Sequence, residues 1–233
     1  VFRQPKYSYY MFKAQRSPRK EERLFETGPV VYIAHEMTPF SGKDVTVYSN
    51  CDEVRLTFLK DGKTYTYNKP VVKEGMPSPV ITFSDVYDFM VDKAMSRKKK
   101  QDEVLLRAEG LIDGKVVATH EVHPARRPEK VLLWVDNENV NLKADGSDFV
   151  TVVAAIADKN GNIKRLNNYY VKFHVEGEGR ILGDAGILAN PAPVKWGTAP
   201  VLIQSTLKPG KIKVTASVLF EGSQMPASAV LEL

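Results

Sequence analysis

Among 233 residues the chain has one cysteine, two tryptophans, four histidines and no apolar run approaching the length of a membrane span. Each shortage excludes something. A single thiol, Cys51, allows no internal disulfide framework. Its setting at a strand-to-turn junction, Tyr48-Ser-Asn-Cys-Asp-Glu53, predicts a small buried side chain rather than a reactive one. The apolar stretch Val150 to Ala157 falls far short of the roughly 18–20 residues of a membrane-crossing helix, so none is expected. His120 and His123 are the one close histidine pair, and on a strand they would point to opposite faces, which is poor geometry for a shared zinc ion. No metal and no cofactor is expected. No nucleophile stands beside a base, and Gly177, Gly179 and Gly183 lack the βαβ context, lysine and serine of a phosphate loop, so turn geometry explains them.

The net charge of +5 is local. Arg16, Arg19, Lys20 and Arg23 cluster near the start and Arg97-Lys-Lys-Lys100 in the middle, without interleaved exposed aromatics, so both read as solvated faces rather than a nucleic-acid surface. The first residues, Val1-Phe-Arg-Gln-Pro-Lys6, have neither an initiator methionine nor an apolar signal core, as expected of a piece of a longer polypeptide.

What is present is β-sheet patterning. With 43% hydrophobic and 26% charged residues, the chain can build two ordinary cores of about 100 residues each. Tyr7, Tyr10, Met11 and Ala14 recur at helical spacing after Pro5, which predicts an amphipathic helix over 6–15 whose apolar face has no partner nearby in sequence. From Pro29 the pattern turns to strands: 30–34, 45–49, 53–59 and 64–67, with Asp61-Gly62 as a hairpin signal. A helix capped by Ser84 or Asp85 and running to Arg97 interrupts them. Strands at 104–109 and 115–122 follow around Asp113-Gly114. Pro124-Ala-Arg-Arg-Pro128 marks a boundary, beyond which strands are expected at 131–135, 149–157, 170–176, 200–206, 210–220 and 227–233. Turn signals every 8–12 residues favour sandwiches.

Several segments resemble the C-terminal part of family 2 glycoside hydrolases of the β-galactosidase-like, Bacteroides type. Arg3-Gln-Pro-Lys-Tyr-Ser-Tyr-Tyr-Met-Phe-Lys13 resembles the closing helix of that family's catalytic barrel. Val45-Thr-Val-Tyr-Ser-Asn-Cys-Asp-Glu-Val-Arg-Leu56 is similar to the immunoglobulin-like domain after the barrel, and Ala108-Glu-Gly-Leu-Ile-Asp-Gly-Lys-Val-Val-Ala118 to that domain's last hairpin. Leu142-Lys-Ala-Asp-Gly-Ser-Asp148, Val175-Glu-Gly-Glu-Gly-Arg180 and Gly210-Lys-Ile-Lys-Val-Thr-Ala216 resemble the terminal sandwich. The lysine-rich helix over 84–100 departs from the pattern, since many members have only a short connection there.

The resemblance implies an all-β fold: two tandem immunoglobulin-like β-sandwiches preceded by a short helix, with one helical insertion in the first. Residues 1–24 would be the tail of an upstream barrel, 25–127 the first sandwich and 128–233 the second. A retaining glycosidase needs two carboxylates about 5–5.5 Å apart. In this family both stand on the barrel, so no catalytic residue is expected here, and Asn137-Glu138 lies in a polar turn with no barrel around it. The implied function is that of non-catalytic accessory domains giving structural support, partnered by the upstream barrel of the same polypeptide, with oligomer contacts and an oligosaccharide as further expected partners. The resemblance also implies export to the periplasm or beyond.

The alternative is a carbohydrate-binding module using exposed aromatic faces. Trp196, in the loop Lys195-Trp-Gly-Thr198, is its best candidate, with Tyr169 and Tyr170, one of which alternation should bury. Trp134 is assigned to the core. Asp158-Lys-Asn-Gly-Asn162 has alternating oxygen ligands but lacks the loop length and glutamate of a calcium hand, and reads as a tight turn.

Overall fold

A computed structural model describes residues 5–19, 28–74, 78–97, 104–136, 141–184, 186, 189–219 and 226–233. They form two compact units, Pro5–Pro124 and Ala125–Leu233. Lys20, Arg23, Lys98, Lys99, Lys100 and the pair Asn137-Glu138 lie outside the described residues.

The first unit runs α1 (Tyr7–Lys13), β1 (Val31–Ala34), β2 (Val45–Ser49), β3 (Glu53–Lys60), β4 (Lys63–Pro70), β5 (Val80–Phe83), α2 (Phe89–Arg97), β6 (Leu105–Ile112) and β7 (Lys115–Val122). One antiparallel sheet has the order β1-β2-β5 and the other β4-β3-β6-β7. Alternation explains why they face each other. Val45 and Val47 of β2, Val54, Leu56 and Phe58 of β3, and Leu106 and Ala108 of β6 turn inward to one core, while Arg55 and Thr57 turn away. At Gly110 a bulge shifts the β6–β7 register, and a Cβ there would lie 2.6 Å from the Cys51 sulfur, so glycine is what allows the thiol to be buried.

One local reading is corrected in this unit. Helix α2 is not capped by Ser84 or Asp85. Asp85 has a left-handed φ of 54°, and the Met90 amide donates instead to the Asp88 carboxylate at 2.8 Å, so the helix starts at Phe89. Helix α1, which has no partner nearby in sequence, packs on this sandwich: Tyr10 stacks on Tyr32 of β1, which in turn packs against His120 of β7.

The second unit contains β8 (Lys130–Val135), β9 (Phe149–Ala157), β10 (Tyr170–Gly177), β11 (Gly179–Ile181), β12 (Ala192–Pro193), β13 (Thr198–Ser205), β14 (Ile212–Leu219) and β15 (Ala229–Glu232). Its sheets have the orders β12-β10-β14-β15 and β11-β13-β9-β8. Val152, Ala154 and Ile156 of β9 meet Val171 and Phe173 of β10 and Val214 and Ala216 of β14 in one core. Trp134 is not in it. The β8–β9 register pairs Trp134 with Val153, and inward-facing Leu133 and Val135 flank it, so strand alternation turns the indole to the outer face.

Candidate functional site

Three backbone segments converge at one end of the second sandwich. The loop between β9 and β10 is tied to β9 by Lys164 N–H to Ile156 O (2.8 Å). The turn before β13 is tied to β9 by Ile156 N–H to Gly197 O (3.0 Å). The start of β10 is tied to the segment after β12 by Val194 N–H to Tyr169 O (2.8 Å). Asn167 accepts the Tyr169 amide at 2.9 Å and fixes the entry into β10.

This arrangement gathers the sequence-selected aromatics without treating them alike. Tyr169 packs against the core, Tyr170 is 42% exposed, and Trp196 is 51% exposed outside the core. Trp196 and Gly197 form a two-residue turn closed by reciprocal backbone bonds between Lys195 and Thr198, of 2.8 and 3.1 Å. Trp196 holds φ at 54°, a left-handed conformation that costs a bulky L-residue on the order of 1–2 kcal/mol. Gly197, at φ 81°, admits no side chain, because a Cβ would come within 2.6 Å of Ile163 and 2.9 Å of the Lys164 carbonyl. The Arg165 guanidinium donates to the Trp196 carbonyl at 3.4 Å.

Asp158, read from sequence as a turn residue, anchors the base of this region. Its side chain is 0% exposed, and it accepts from the amides of Arg126, Asn160 and Asn162 and from the Asn162 side chain, at 2.9, 2.9, 3.0 and 3.2 Å. Burial opposes its ionisation, but those donors outweigh burial and hold the carboxyl below the usual aspartate range. The carboxylate oxygens point at protein donors, which argues against a calcium site there. Lys164 lies beside it, with its ammonium donating to the Ala125 carbonyl at 3.3 Å. Burial, then the nearby Arg126, lower its pKa against the pull of Asp158. The signal missed in the sequence was that Arg126, outside the turn, completes the shell.

Three described aspartates suit anchoring rather than proton transfer. A glycosidase acid must be raised towards neutrality. Asp52, Asp145 and Asp158 are all displaced downward: Asp52 first by its hydrogen bond from Lys73, Asp145 by the amides of Ser147 and Asp148, and Asp158 as above. Among the described residues no group of three or more His, Cys, Asp or Glu is arranged to hold a metal ion.

Residues 133–220, most of the second sandwich, match the profile of glycoside hydrolase family 2 C-terminal domain 5. The β-galactosidase of Thermoanaerobacter pseudethanolicus is 32% identical over an alignment 225 positions long, which covers 93% of this chain and 27% of that protein. The chain belongs to the C-terminal region of glycoside hydrolase family 2. A β-glycosidase structure from Bacteroides vulgatus superposes with a TM-score of 0.71 at 22% identity, covering 98% of this chain and 26% of that one. A family 2 β-glucuronidase gives 0.67 at 20% identity, covering 99% of this chain and 22% of that one. The family 2 chain described here thus spans about a quarter of the length of the proteins it matches. Its all-β sandwich architecture is shared with them, and three segments singled out for the terminal sandwich, at 142–148, 175–180 and 210–216, fall within the matched span.

Proposed function

We propose that this chain is a non-catalytic accessory region of a retaining glycosidase acting on β-galactosides, exported from the cytoplasm, and that its second sandwich braces a neighbouring catalytic domain of the same polypeptide. The observation that carries the reading is the two-sided apolar character of β9, Phe149-Val-Thr-Val-Val-Ala-Ala-Ile-Ala157. A sandwich strand with one face in water alternates apolar and polar residues, whereas a strand meant for burial on both faces does not. In β9 the outward positions are Thr151, Val153 and Ala155. They pair with Leu202, Pro200 and Thr198 on β13, and Val153 and Ala155 also with Trp134 and Leu132 on β8. Thr151, Val153 and Ala155 are themselves already covered within the chain, so the apolar surface this face still offers is that of Leu132, Trp134, Pro200 and Leu202 beside them, which fits a domain contact.

Two measurements test this. The isolated chain should hydrolyse no aryl β-galactoside above a mock-purified control, and turnover would overturn the reading. In the longer polypeptide, Leu202→Asp should lower the temperature at which activity is lost by several degrees more than it lowers the melting point of the isolated chain. Equal shifts would remove the bracing role.

A further inference from the structure

The turn Lys195-Trp-Gly-Thr198 carries a side chain that its backbone disfavours. Among the described residues three two-residue hairpin turns have positive φ at both central positions: Asp61-Gly62 at 53° and 67°, Asp113-Gly114 at 50° and 71°, and Trp196-Gly197 at 54° and 81°. The backbone requirement is the same in all three, and Asp-Gly is among the pairs that meet it best. Tryptophan in the first position meets it poorly. Met37, at φ 50°, is the other long apolar side chain held this way, but it is 2% exposed and belongs to the first core, so burial offsets its strain. Trp196 has no such offset, being half exposed and outside the second core. Neither turn chemistry nor packing accounts for the indole.

What remains is contact with something outside the sandwich. The turn is a rigid mount, since Gly197 is closely packed against Ile163 and Lys164, and both neighbouring strands are tied to β9 or β10. The backbone that carries the ring is therefore fixed, which reduces the entropy lost on binding. Lys195 is exposed beside it, and Arg165 is held at the Trp196 carbonyl. Tyr170 is exposed on the strand that pairs with Pro193, three residues before the indole. A flat apolar face, with Lys195 next to it in the turn and Arg165 at its backbone carbonyl, matches a sugar ring, whose C–H face stacks on an indole while its hydroxyls or carboxylate accept hydrogen bonds.

We propose that Trp196 is a stacking platform for one sugar ring of an oligosaccharide, flanked by Arg165 and Lys195 as donors. The inference rests on the reading that the parent acts on saccharides. It assigns this end of the second sandwich a ligand, whereas the bracing role belongs to the outer face of β9.

The test uses the 233-residue chain with β-1,4-galactotetraose and with trigalacturonate, followed by tryptophan fluorescence and calorimetric titration. Binding of at least one is expected, with a blue-shifted emission. Trp196→Asn should raise the melting temperature, because asparagine suits the turn, and weaken binding at least tenfold, while Trp196→Tyr should retain part of the affinity. Absence of binding by the unaltered chain to both sugars, or binding unchanged in Trp196→Asn, overturns the proposal. A stabilised Trp196→Asn variant of a chain that binds neither sugar would point to a protein contact for the indole instead. None of these outcomes bears on the accessory reading, which is decided by the activity and thermal inactivation of the longer polypeptide.

Discussion

Two imidazoles of the first sandwich are pushed towards the neutral form by burial. His35 accepts the Met37 amide at Nδ1 (3.1 Å) and donates from Nε2 to the Gly42 carbonyl (2.9 Å), and His120 accepts the Ile33 amide at Nδ1 (3.2 Å). Burial lowers the pKa of both. For His35 the Gly42 bond and the charge of Glu36 oppose this without cancelling it, and for His120 Glu121 and Glu36 do the same. A base whose folded pKa is depressed takes up its proton more readily unfolded, so its contribution is complete above the ordinary histidine value of 6.5 and declines as pH falls below it. The first sandwich should therefore melt at a lower temperature at pH 5.5 than at pH 7.5. His120→Phe, which keeps a ring against Tyr32, should flatten that dependence. A pH-independent melting point over this range would contradict the assignment. The buried, depressed aspartate acts in a separate window, since Asp158 loses its contribution only on acidification below the ordinary aspartate range.

Strand periodicity was readable at the level of elements where strands are long. Residues 53–58 alternate so regularly that the inward set Val54, Leu56 and Phe58 follows from sequence, and Val45–Ser49, Lys115–Val122 and Phe149–Ala157 have the expected bounds. Three strands went unnoticed: β5 between Pro79 and Ser84, β11 beside Gly177, and β12, which ends at Pro193. Each has two to four residues, too few to establish a period, and each exists because a longer neighbour offers its edge. Trp134 was misplaced for a related reason, because in a strand flanked by apolar residues on both faces only the pairing register shows which face is inside. The turn at Trp196 was recognisable as a loop, but not its left-handed backbone. Its glycine gives an element-scale prediction. Gly197→Ala should destabilise the second sandwich by about 2–3 kcal/mol, read from urea unfolding, because the added methyl meets Ile163 and the Lys164 carbonyl at a positive φ. A loss below about 0.5 kcal/mol would mean that the turn relaxes freely.

At the scale of the whole molecule, the described residues form one apolar core per unit, the first within residues 31–122 and the second within residues 131–233. Damage confined to one core should therefore be confined to one unfolding step. Asp158→Ala removes the shared acceptor of the Arg126, Asn160 and Asn162 amides in the second unit. Asn160 is exposed and Arg126 and Asn162 are half-buried, so water replaces much of what is lost, and with an unmet buried donor costing about 1–3 kcal/mol a loss of about 1–2 kcal/mol is expected. Calorimetry should show the second unit's transition lowered and the first unchanged, and an equal fall in both would show that they unfold as one.

The sequence by itself determined the all-β class, the helix inserted into the first unit and the likeness to family 2 C-terminal regions. These follow from local periodicity, turn residues and short motifs, which are properties of neighbours along the chain. Only the tertiary structure decided that Tyr10 stacks on Tyr32, that Arg126 completes the shell of Asp158, that Trp134 faces outward, and that Trp196 occupies a turn suited to aspartate. Each depends on groups distant in sequence, or on a backbone dihedral fixed by pairing, and neither is encoded in any short window of residues.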